Sequence, residues 1–72
     1  MTTASAYTAV IRQDGPCWIG WVEEVPGVND QGQSSEAFLE SLREVLREAL
    51  EFNRQDALGA AGQGAEELAL LL

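Results

Sequence analysis

The chain has 72 residues, 12 acidic and 4 basic side chains, no histidine and no lysine, for a net charge of −8. That length makes a single domain with a core too thin to be generously stable alone, so self-association is the expected supplement. The charge balance excludes a phosphate-binding footprint, and one cysteine (Cys17) without histidine excludes an internal disulfide and an ordinary zinc site.

Residues 1–6 are small and polar and read as a flexible N-terminus. No basic run precedes an apolar core there, so neither a signal peptide nor a membrane span is expected, and a cytoplasmic protein with one free thiol fits best. "YTAVIRQ" (7–13) reads as a strand, with Tyr7, Ala9 and Ile11 on one face and Thr8, Val10 and Arg12 on the other. Asp14-Gly15-Pro16 supplies turn chemistry. "CWIGWVEEV" (17–25) is a second strand in which Cys17, Ile19 and Trp21 alternate with Trp18, Gly20 and Val22. Both faces are mostly apolar, and a neighbouring subunit is a natural cover for the second one. Strand register relative to the helix leaves open which tryptophan, Trp18 or Trp21, faces inward.

Pro26-Gly27 breaks the second strand. The segment 27–33 is polar, with Val28 as its apolar anchor; the space between turns suits a third strand, although its residues are poor strand formers. Gly32 permits a last bend before Ser34 or Ser35 caps a helix expected over about 35–54. Phe38, Leu39, Leu42, Val45, Leu46, Ala49 and Phe52 form its apolar stripe. Its outer face offers Glu40/Arg43, Glu44/Arg47 and Arg47/Glu51 as ion pairs, each worth roughly 0.2–0.5 kcal/mol. Gly59, Gly62 and Gly64 then mark a connection, and "EELALLL" (66–72) ends the chain as a helix or a strand, docked on its own core or on a partner.

The chemistry expected of an enzyme is missing. Glu23 and Glu24 are adjacent, so on a strand they point to opposite faces and form no dyad. Asp14 and Asp30 read as turn residues, Cys17 has no histidine to activate it, and Ser34 and Ser35 are caps before they are nucleophiles. "QGQSS" lacks the lysine and glycine density of a phosphate loop. Trp18 and Trp21 lack the basic surroundings of a nucleic-acid stacking platform, so packing or an interface is their reading. No catalytic, cofactor-binding or metal-ligating residue is assigned.

The order of Tyr7-Thr8-Ala9-Val10-Ile11, Gly15, Trp18-Ile19, Glu24-Val25-Pro26-Gly27, Gln31-Gly32-Gln33-Ser34 and the helix from Glu36 to Leu50 resembles the HicB-like antitoxin family. The likeness covers about residues 7–54, with residues 55–72 as a glycine-containing connection and apolar end. Gln33, Ser34, Phe38 and Ser41 stand where aspartate, threonine, alanine and asparagine are usual; Phe38 in particular asks for extra room under the first helical turn. The resemblance implies a β-β-β-α fold, with space for a short fourth strand or helix, like a truncated ribonuclease H fold without that enzyme's catalytic carboxylates. It also implies a non-enzymatic protein that blocks a small basic HicA-type mRNA-cleaving toxin; the thin core, the apolar sheet faces and the leucine-rich end separately suggest a homodimer or larger homo-oligomer. The alternative is a homo-oligomer of the same fold with no toxin partner. Many members carry a C-terminal operator-binding domain; here roughly 18 residues follow Arg54, none of them basic, so no direct nucleic-acid contact is expected. The candidate structural or interface residues are Trp18, Trp21, Glu24, Pro26, Gly27, Gln31, Gly32, Ser34 and Leu70.

Overall fold

The computed structural model describes residues 6–71. The flexible segment expected over residues 1–6 lies outside them except for Ala6, as does Leu72 of the apolar end. The elements are β1 (Ala9–Asp14), β2 (Cys17–Val22), β3 (Asn29–Gly32) and α1 (Ser35–Ala61). They make a small α+β domain, a three-stranded antiparallel sheet in the order β1-β2-β3 packed against one helix.

Gly15 and Pro16 form the two-residue turn of the first hairpin, and Gly15 has the positive φ (62°) that such a turn asks of its first residue. β2 ends at Val22, not at Val25. Glu23 and Glu24 sit in a turn, and the loop closes on itself where Val22 donates to the Val28 carbonyl at 3.0 Å and Val25 to the Val22 carbonyl at 3.3 Å. This closure turns Val25 and Val28 inward, where they join Val22, Phe38 and Leu42 as the buried core. β3, "NDQG", forms against its own propensity because it completes the ladder along Trp18–Trp21 of β2. Asp30 therefore lies in a strand and not in a turn, and its carboxylate accepts hydrogen bonds from the Ser41 hydroxyl on α1 and from the Gln31 N–H.

Residues paired across antiparallel strands share a face. Gly20 is buried against Phe38, so Trp18, Gly20 and Val22 face the helix together with Asp30 and Gly32. Phe38 is fully buried, and its room comes from two glycines. A Cβ on Gly32 would lie 2.9 Å from the Phe38 Cβ, and one on Gly20 would lie 2.8 Å from the ring tip. Gly32 has no positive φ, so close approach, not a bend, is what requires glycine there.

Ser34 is the N-cap, its hydroxyl accepting from the Ala37 N–H at 3.2 Å. The helix continues seven residues past the expected end at Arg54. Ala57, Leu58, Ala60 and Ala61 are strong helix formers whose propensity outweighs the roughly 1 kcal/mol cost of Gly59 inside the helix. Gly62 ends it, donating its N–H to the Leu58 carbonyl at 3.1 Å. At about 1.5 Å per residue the helix spans about 40 Å, against about 20 Å for a six-residue strand, so its second half outruns the sheet. Phe52, on the expected stripe, is therefore 70% exposed. Of the expected ion pairs, Glu44–Arg47 forms at 3.3 Å, while Glu51 pairs with Arg54 instead. Such exposed pairs contribute little.

Candidate functional site

One broad surface of the described residues combines apolar side chains with polar edges and lies over no other element. The helix packs on one face of the sheet, over β2 and β3; the opposite face carries Val10 and Arg12 from β1, Cys17, Ile19 and Trp21 from β2, and Asn29 and Gln31 from β3. Trp21 stands 45% exposed, next to Val10 across the β1 ladder and Asn29 across the β3 ladder. Ile19, Trp21, Asn29 and Gln31 line a shallow, open depression. A large apolar ring with Val10 on one side and amide side chains on the other suits a protein partner better than a small molecule, which needs a concave pocket that removes most of its surface from water.

The residues singled out in the sequence separate into three groups. Trp21 and Gln31 belong to this outer face, and Ile19, Val10 and Asn29 join them; strand alternation around Gly20 was the signal for that set. Trp18, Gly32 and Ser34 are structural: Trp18 packs half-buried against the core, Gly32 admits Phe38, and Ser34 caps the helix. Glu24, Pro26 and Gly27 shape the loop after β2, with Gly27 at φ 90°. Leu70 stands apart, 90% exposed in a C-terminal segment that is neither helix nor strand among the described residues.

Glu24 also ties that loop to the start of the chain. Its two carboxylate oxygens accept from the Thr8 N–H at 2.8 Å and from the Thr8 hydroxyl at 2.6 Å. These bonds, first the hydroxyl and then the backbone one, favour the ionised form and hold the Glu24 carboxyl below its ordinary value. A lowered folded-state pKa stabilises the fold above the unfolded value, about 4.3 for glutamate, and that contribution fades as pH falls through the lowered value. Glu24→Gln is therefore expected to flatten the loss of stability between about pH 5 and pH 3, measured by urea unfolding at stepped pH. An unchanged slope would show that the Thr8 contact carries no linkage.

Among the described residues, no three aspartate, glutamate, cysteine or histidine side chains converge as a metal site. Asp30 is committed to Ser41 and the Gln31 N–H, and Glu24 to Thr8. No helix among the described residues is long and apolar enough to cross a membrane. Compared with known proteins, the chain matches no family model, no curated protein and no solved structure.

Proposed function

We propose that the protein is a cytoplasmic, non-enzymatic binding module of the HicB antitoxin type, which uses the outer face of its sheet to cover a small basic HicA-type toxin. The observation that carries this reading is the apolar face centred on Trp21, 45% exposed and flanked by Asn29 and Gln31. Exposed tryptophans ringed by polar groups are frequent anchors of protein interfaces. The order of motifs from Tyr7 to Leu50 supports the toxin class, and the net charge of −8 supports a basic partner by accelerating encounter and rejecting acidic competitors. A second reading, a self-associating protein with no toxin partner, is favoured by the exposed leucines of the C-terminal segment.

Calorimetric titration with a basic HicA-type toxin encoded beside this chain tests the first reading. The expected result is saturable binding that weakens as salt rises. Trp21→Ala, at an exposed position, is expected to raise the dissociation constant at least about tenfold without altering the fold. Absence of binding at micromolar concentrations, or a Trp21→Ala chain that binds as tightly as the parent, sinks the assignment.

A further inference from the structure

The helix lies over β3 and β2 and leaves β1 uncovered. Between β1 and the helix runs an apolar groove of about 130 Å³ lined by Tyr7, Ala9, Leu39, Leu42 and Leu46, with Arg43 on its rim. It continues along the helix to Arg47 and Leu50. The backbone beside it is also unpaired. Glu23 donates to the Thr8 carbonyl, so by antiparallel alternation Thr8, Val10, Arg12 and Asp14 direct their backbone groups toward β2. The N–H and C=O groups of Ala9, Ile11 and Gln13 consequently point to the free edge, and their side chains lie on the helix side of the sheet. Ile11 is 40% exposed there.

The same chain carries a segment of complementary character. After Ala65, whose N–H reaches the Gly62 carbonyl, residues 66–71 make no backbone hydrogen bond among the described residues. Leu68, Leu70 and Leu71 are 79%, 90% and 77% exposed. In an extended segment Leu68 and Leu70 share one face, the pattern of a strand that buries alternate side chains. Glu66 and Glu67 precede them, and Arg43 on the groove rim has no carboxylate partner among the described residues. Within one chain the two surfaces do not meet. Glu67 is held by the Arg54 guanidinium through two contacts, at 2.8 and 3.1 Å, on the part of the helix beyond the sheet. The leucines stay in solvent and the groove stays open.

We propose that residues 66–71 of a second copy add to the free edge of β1, placing Leu68 and Leu70 in the groove beneath Leu39 and Leu46. The exchange is reciprocal, so one two-fold dimer satisfies both edges and closes without leading to filaments. The overhanging half of α1 carries each segment beyond its own sheet toward the partner's, and brings the exposed Phe52 rings into the same interface. This inference does not rest on toxin binding, because the chain supplies both surfaces itself.

Sedimentation velocity on the full chain tests it with two variants. One is the triple substitution Leu68→Asp, Leu70→Asp, Leu71→Asp, and the other is Ile11→Asp on the receiving strand. The wild type is expected to be a dimer at micromolar concentration, and each variant a monomer with its dissociation constant raised about a hundredfold or more, because each places unpaired charge in an apolar contact. Mixing the variants is expected to restore a heterodimer, since one intact segment then meets one intact groove. A monomeric wild type, a triple variant that still dimerises, or a mixture that stays monomeric overturns the proposal. The triple variant changes only side chains already in solvent, so it carries the test by itself if circular dichroism shows that Ile11→Asp loses its helix.

Discussion

Phe38→Ala is expected to lower the stability of the domain by about 3–5 kcal/mol, the range for deleting a buried aromatic side chain. Phe38 is the one large side chain among the described residues with no exposed surface, and it joins the first turn of α1 to both β2 and β3. The resulting cavity cannot close easily, because its floor consists of Gly20 and Gly32, which have no side chains to fill it. A core of this size rarely supplies more than about 3–5 kcal/mol, so the variant should sit at or beyond its unfolding midpoint in water. Urea unfolding followed by tryptophan emission reads this directly, since Trp18 packs against the core while Trp21 is exposed in either state. A loss below about 1 kcal/mol would mean that the neighbouring Leu42 and Val28 collapse into the space, and that Phe38 does not organise the fold.

The same residue shows how far the fold was readable from the chain. The sequence places Phe38 on the apolar stripe and asks for room beneath it; what it does not state is where that room comes from. Gly20 held the answer, because a glycine on one face of an otherwise bulky strand marks a close approach. Read that way, Gly20 puts Trp18 and Val22 under the helix and sends Ile19 and Trp21 outward, which is the arrangement found. The helix start was legible because capping is local chemistry: Ser34 and the N–H groups after it suffice. Its end was not. Three glycines in six residues look alike in a sequence, yet Gly59 is carried within the helix by its alanine and leucine neighbours, and it is Gly62, the first of them with a positive φ (83°), that stops it. The bounds of β3 depend on pairing with β2 and on the tie from Asp30 to Ser41, both contacts distant in sequence. The outer face of the sheet was legible as apolar, but no residue in the chain names what covers it.

Gly20→Ala and Gly59→Ala, the same change at two glycines, are expected to act with opposite sign. At Gly20 the added methyl would lie 2.5 Å from the Val10 carbonyl oxygen, 2.8 Å from the Phe38 ring tip and 3.0 Å from the Ile11 side chain. The first of these is backbone and cannot rotate away, and the ring is locked because Gly32 packs directly under its Cβ. Relief therefore requires β1 to separate from β2 or the helix to lift, at a cost of about 1–3 kcal/mol. At Gly59 a methyl meets nothing within 4 Å, and replacing a helical glycine should raise stability by about 0.5–1 kcal/mol. Urea midpoints of the two variants give the comparison. A Gly20→Ala chain within about 0.5 kcal/mol of the parent would show that the sheet yields more readily than this packing implies. Combining Gly20→Ala with Phe38→Leu separates the two obstacles: shortening the ring removes its clash and leaves the carbonyl contact. The double variant should then be less destabilised than the sum of the single ones, by a coupling of about 0.5–3 kcal/mol. Strict additivity would assign the whole requirement for glycine to β1, through the Val10 carbonyl and the Ile11 side chain, and the identity of residue 38 would then be free to vary independently of residue 20.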